Sequence, residues 1–243
     1  MRKLFYINKL LNKIGIELIK YNPRNNSSLR KSLFLKKFEF DCIIDVGANI
    51  GGFRDELREN GYNGIIHSIE PIFSLYKKLE VKSKSDSSWV LHNCALGDKN
   101  QEIEINISSN LHSSSVLDIL DTHTTAAPDS IYVEKQRIRQ LTLDAMRSSF
   151  GSFNKLFLKI DTQGYEWNVL NGAKQFLHDV DALQLEMSMI PLYKDQKLFK
   201  EIFDFLTTSG FELYEVEPGF SDPKDGRQYQ VDCIFINAVK NKN

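Results

Sequence analysis

The stretch CIIDVGANIGGF, residues 42–53, decides the fold. An apolar run stops at an acid, glycines follow at once, and a helix near 51–60 opens directly after them. In an open parallel sheet, ligands bind in the crevice beyond such carboxyl ends, and glycines there let backbone amides approach them. The spacing is Asp45, Gly47, Gly51, a DxGxxxG pattern that differs from the GxGxxG of dinucleotide folds. An aspartate ahead of the first glycine is a poor neighbour for a pyrophosphate and a good one for a cationic ligand.

Outward from this stretch, β-rich runs near 42–46, 65–69, 89–94, 156–160 and 182–187 alternate with helical runs near 51–60, 72–82, 165–177 and 196–209. That alternation predicts an α/β fold, a doubly wound parallel sheet with helices on both faces. FELYEVE (211–217) and QYQVDCIFINAV (228–239) read as an antiparallel closing pair. Between the third and fourth strands lies an insertion of roughly sixty residues, too long for an ordinary connection and so functional or disordered. It contains the alternating QEIEINIS (101–108), a polar serine-rich stretch and YVEKQRIRQLTLDAM (132–146).

S-adenosylmethionine, with its ammonium and sulfonium, suits the acid-tipped first strand, so Asp45, Gly47, Asn49 and Gly51 are candidate cofactor contacts. Glu70, at the end of IIHSIEP (65–71), stands where an acid accepts a ribose diol. In HNCALGD (92–98), Ala95 and Leu96 are placed to flank an adenine, with Asp98 near its amine.

The 243 residues are 42% hydrophobic and 26% charged, an ordinary soluble balance. A net charge of -1 argues against a chain built mainly to grip phosphate backbones, so no nucleic-acid partner is expected. The sum hides an asymmetry: residues 1–37 hold ten basic side chains and one acid, a balance of +9, which leaves -10 for the rest. In LFYINKLLNKIGIELIK (4–20), Leu4, Ile7, Leu11, Ile14 and Leu18 share a helical face, which predicts one amphipathic helix. It is expected to pack on the main domain or on a second copy in a homo-oligomer, with a peripheral contact to an anionic membrane as the alternative. Residues 22–31 read as a linker, giving a helical extension over 1–37 and a main domain over 38–243. Cys42, Cys94 and Cys233 lie in apolar stretches and read as reduced core thiols. With no signal-peptide core and no long apolar run, a cytoplasmic protein is expected, with the inner face of the membrane as the alternative place.

The chain resembles the FkbM family of S-adenosylmethionine-dependent methyltransferases. The matching pieces are DVGANIGGF (45–53), SIEP (68–71), NCALGD (93–98), Ser113 to Ser115, LTLD (141–144), LKIDTQGYEWNVLNGA (158–173) and LQLEMS (183–188). The resemblance implies a seven-stranded class I methyltransferase sheet. It also implies methyl transfer to oxygen, commonly a hydroxyl of a sugar or a sugar-decorated natural product, and so a role in polysaccharide or natural-product biosynthesis. Where relatives often carry an acid before the glycine of the fourth-strand motif, this chain has Gln163.

Asp161 and Glu186 end adjacent strands, so both are candidate catalytic acids at the rim. An alcohol needs a base in reach or a cation that lowers its pKa. Two plans follow: Asp161 and Glu186 hold Mg²⁺, or Asp161 or His112 acts as a metal-free base. Tyr165, Glu166, Trp167 and Tyr193 are candidate acceptor contacts. A competing reading is a non-catalytic module that keeps the sheet and docks a partner through its basic N-terminus. A dinucleotide oxidoreductase would show GxGxxG, and base-amine methylation typically uses an Asn/Asp-Pro-Pro-aromatic run where this chain has DTQGY (161–165).

Overall fold

The computed structural model describes the backbone of residues 2–240 and the side chains of 5–240. The chain divides into two compact units, Met1–Phe38 and Glu39–Asn243.

In the first unit, helix α1 spans Arg2–Leu11 and α2 spans Ser27–Phe38. The single helix expected over 4–20 is shorter: it tightens into a 3-10 turn at Asn12–Ile14 and ends at Gly15, whose φ of 73° is a left-handed cap. The chain then folds back. Asn8 donates from Nδ2 to the Leu18 carbonyl (2.8 Å) and accepts the Leu18 amide (2.9 Å). Leu18 therefore belongs to the returning stretch and leaves the helical face assigned to it. The expected linker over 22–31 is also corrected, because Asn26 Oδ1 accepts the Leu29 amide at 2.7 Å and starts α2 inside it.

In the second unit the elements run in order β1 (Cys42–Val46), α3 (Gly52–Glu59), β2 (Ile65–Ile69), α4 (Phe73–Ser83), β3 (Trp89–His92), β4 (Ala95–Leu96) and β5 (Gln101–Ser108). They continue with α5 (Asp121–Ala126), β6 (Tyr132–Leu141), α6 (Leu143–Met146), β7 (Leu156–Ile160), α7 (Glu166–Asn171), β8 (Val180–Ser188), α8 (Phe199–Thr208), β9 (Phe211–Pro218) and β10 (Gln230–Asn237). Seven strands form the main sheet in the order β3-β2-β1-β7-β8-β10-β9, and only β10 is antiparallel to its neighbours. This is the doubly wound class I methyltransferase sheet with its antiparallel closing hairpin. β1 and β7 are buried at all five positions, as strands covered on both faces must be. β9, at the edge, alternates and exposes Glu212, Glu215 partly and Glu217 partly, acids that discourage pairing with another chain's edge.

The long insertion is ordered. It builds a second, three-stranded sheet, β4-β6-β5, whose inner face packs Ile105, Ile107 and Ile138 against Ile72, Leu75 and Ala95. The three cysteines are buried free thiols, and burial pushes Cys42, Cys94 and Cys233 up to about 12, 11 and 12.

Candidate active site

The strand order reverses between β1 and β7, so their outgoing chains diverge and leave a crevice at the carboxyl ends. A cavity opens there. Gly47, Asn49 and Glu70 form one wall, Ala95 and Leu96 a second, and Asp161, Gln163 and Tyr165 a third; Leu111, His112 and Ser114 of the insertion complete it. Gly47 has φ 86°, and a Cβ there would collide with the Asp161 carbonyl, so only glycine lets the two strand ends meet. Five non-glycine residues have positive φ among the described residues, and three of them, Asn49, Leu111 and Gln163, stand on this cavity. Held strain of this kind clusters at functional sites.

Glu70 ties β1 to β2. Its Oε2 accepts the Asn49 amide and its Oε1 the Ile72 amide, both at 2.8 Å, and burial pushes the carboxyl up to about 7 against the pull of those two donors. Asn49 donates to the Leu111 carbonyl at 3.3 Å, while its own Oδ1 is buried without a donor. An unpaired acceptor, a buried carboxyl and an apolar slot of Ala95, Leu96 and Ile105 fit the ammonium, ribose and base of S-adenosylmethionine in type. Glu70→Ala is expected to weaken binding of S-adenosylhomocysteine by about 1–3 kcal/mol. The melting-temperature rise given by that ligand should shrink accordingly. An undiminished rise would remove Glu70 from the cofactor site.

A polar chain runs beside this wall. Lys159, in β7, reaches Asp45 Oδ1 at 3.3 Å and Asp161 Oδ2 at 3.2 Å. Gln163 donates from one Nε2 to Asp161 Oδ1 (2.9 Å) and Glu186 Oε2 (3.0 Å), and its Oε1 accepts the Tyr193 hydroxyl at 2.9 Å. Gln230 also donates to Glu186 Oε2, at 2.7 Å. Burial first, then the charges of Asp161 and Glu166, push Glu186 well above the usual carboxylate range.

These positions revise several expectations. Asp45 is fully buried, faces Lys159 across the sheet register and does not line the cavity, so its charge is matched inside the protein and is not offered to a ligand. Gly51 caps α3 and lies against the Trp89 ring, a packing role. Asp98 is not on the cavity wall. Glu186 is likewise off the wall, half-buried, with its Oε2 accepting from two glutamine amides. The Mg²⁺ expectation for Asp161 and Glu186 finds no support in this geometry: the space between the two carboxylates is bridged by an amide N–H₂ donor, and Lys159 already serves Asp161. Among the described residues no cluster of three or more His, Cys, Asp or Glu side chains suits a metal. Trp167, half-buried, packs edge-on against Phe205 at the border of the core, Tyr193 is wholly buried, and neither lines the cavity. His112 and Tyr165 do stand on the cavity, the former exposed at its mouth.

Lys159 was not singled out from sequence, although a lone cation inside the buried strand LFLKI is itself a signal of buried acids beside it. The serine cluster acts through the loop after β7: Ser115 Oγ donates to the Gln163 carbonyl at 2.7 Å. Glu166 holds the same loop, accepting the Thr162 amide (2.8 Å), the Thr162 hydroxyl (3.1 Å) and the Gly164 amide (3.2 Å). Burial pushes Glu166 up to about 7. Its folded form thus keeps a proton that the unfolded chain releases near 4.5, so folding loses stability as pH rises through that window. Buried His67 and His123, both lowered to about 4, act in the opposite sense over an overlapping range. Glu166→Gln isolates the glutamate: relative to wild type its stability should climb between about pH 4.5 and 7, by up to about 1.4 kcal/mol per unit, and level off above. Urea titrations at several pH values check this, and a flat difference would refute it.

A seven-stranded parallel sheet with an antiparallel closing hairpin and a nucleotide-type cavity at its switch point defines a class I, S-adenosylmethionine-dependent methyltransferase fold. Residues 45–213 match the Methyltransferase FkbM domain, and the chain belongs to that family. Among solved structures it is similar to the FkbM methyltransferase of Methylobacillus flagellatus KT, at 14% identity and a TM-score of 0.46, over 79% of this chain and 43% of that one. This chain therefore spans less than half the length of that protein. It is also similar to a putative RNA methyltransferase from Pyrococcus horikoshii (12% identity, TM-score 0.48, 92% of each chain). A third is an rRNA methylase from Streptococcus thermophilus (8%, 0.48, 90% of this chain and 99% of that one). No curated protein matches the chain.

Proposed function

We propose that this chain is an O-methyltransferase whose acceptor is a hydroxyl of a sugar or of a glycosylated small molecule, in polysaccharide or natural-product biosynthesis. The observation that carries the reading is Asp161. Its carboxylate stands on the cofactor cavity with its side chain 34% exposed, fixed by Lys159 on one oxygen and Gln163 on the other. A carboxylate so held can accept a hydroxyl's hydrogen bond and then its proton. When bound, S-adenosylmethionine supplies a methyl group on a positively charged sulfur; Asn49 and Glu70 would hold it, with Ala95 and Leu96 against its base. Lys159 and Gln163 keep Asp161 from rotating away, and His112 at the mouth is placed to orient a polyhydroxylated acceptor. The Leu111 and Val116 side chains help exclude water from the same space.

The test incubates the chain with labelled S-adenosylmethionine and separate pools of sugar nucleotides, oligosaccharides, glycosylated metabolites and RNA. Label recovered as a methyl ether in a carbohydrate pool is expected. Label confined to RNA, or none in any pool from a chain that binds the donor, would overturn the proposal.

A further inference from the structure

The segment 5–21 concentrates uncovered apolar side chains. Phe5, Tyr6, Leu10 and Ile14 are 66–69% exposed, and Ile19 and Tyr21 on the returning stretch are 57% and 77% exposed. Single exposed apolar residues need no explanation, but a contiguous set marks an interaction surface. Tyr6, Leu10 and Ile14 recur every four residues along α1 and the turn after it, which lines them up on one side. Lys9 and Lys13 recur with the same spacing directly beside them. The exposure comes from a built shape, since the Asn8 side chain clamps the returning backbone at Leu18 through two hydrogen bonds.

Charge selects the occupant. Residues 2–24 contain six basic side chains (Arg2, Lys3, Lys9, Lys13, Lys20, Arg24) and one acid, Glu17. An apolar row edged by lysines needs a surface that offers apolar contact and negative charge together, and an anionic bilayer offers both at one depth. The ten-residue α1 is about 15 Å long, half a bilayer core, and among the described residues no helix is long and apolar enough to cross a membrane. The contact is therefore peripheral. Residues 38–243, with a balance of -10 by subtraction, would be repelled by the same surface, which confines binding to the basic unit.

We propose that the folded-back segment 2–24 docks on anionic lipid, with Tyr6, Leu10 and Ile14 at the acyl boundary and Lys9 and Lys13 among the headgroups. The test is flotation of the full chain with vesicles of phosphatidylcholine and phosphatidylglycerol, beside vesicles of phosphatidylcholine alone. Recovery with the anionic vesicles only, falling as salt is raised, is expected. Leu10→Ser with Ile14→Ser, and separately Lys9→Glu with Lys13→Glu, should each lower that binding about tenfold or more. An unchanged helical circular-dichroism signal shows that each variant remains folded. Failure of the folded wild-type chain to float with anionic vesicles, or equal flotation with neutral ones, overturns the proposal. So does light scattering that shows a dimer dissociated by the Leu10 and Ile14 changes, which would assign the face to a second copy.

Discussion

Replacing Lys159 by methionine is expected to lower the stability of the fold by about 3–5 kcal/mol, because it strands a buried carboxylate. Asp45 has no exposed surface, its Oδ2 lacks any hydrogen-bond partner, and Lys159 Nζ is the cation beside it. Burial pushes Asp45 up and Lys159 pulls it back, while the two acids hold Lys159 above the ordinary lysine range. Without the ammonium, Asp45 must fold as the neutral acid. Its folded pKa then lies far above the unfolded value, so the deficit is least in acid and grows as pH rises past the ordinary carboxylate range. Urea denaturation near neutrality and near pH 4 measures both effects. Adding Asp45→Asn to Lys159→Met should recover most of the loss, since it removes the orphaned charge. Additive effects of the two substitutions would show that they do not form a pair.

Asp161→Asn should reduce turnover by about a hundredfold or more, the range that general-base removal spans, while leaving donor binding intact. The amide keeps the shape and can still accept from Gln163, so the cavity wall is preserved, but it cannot take a proton. A melting-temperature rise with S-adenosylhomocysteine close to wild type separates lost chemistry from lost binding. Glu186→Gln is the companion measurement. Because Glu186 lies off the wall with its carboxyl pushed well above the usual range, the amide is a near neighbour of the acid it replaces, and turnover should change little. Equal collapse of both variants would return Glu186 to the chemistry. Normal turnover of Asp161→Asn would remove Asp161 from it.

Most of the main sheet was legible because parallel strands buried on both faces are written as short apolar runs, and each was bounded by glycine or a charged helix. β1, β2 and β7 fall where CIIDV, IIHSI and LFLKI predict them. Errors arose where one local feature outweighed a longer pattern. Gly15 ended a helix whose apolar spacing continued to Leu18, and Asn26 began a helix inside a polar stretch. In the site, Gly47, Asn49, Glu70, Ala95 and Leu96 were placed on the cavity from strand ends alone. Sequence does not place Lys159 beside Asp45, because a residue number on a strand does not reveal what stands across from it in the neighbouring strand.

By itself the sequence determined the class of fold, the crevice at the end of β1 and the uneven charge of the two units, since periodicity, glycine spacing and composition are properties of the chain alone. Only the tertiary structure decided which acids face a ligand. β1 and β7 pair Asp45 with Lys159, Gln163 and Gln230 both donate to Glu186, and the insertion carries His112 and Ser115 to the loop after β7. A carboxylate's role follows from its distance to other charges and to water, and those distances exist only once strands distant in sequence lie side by side.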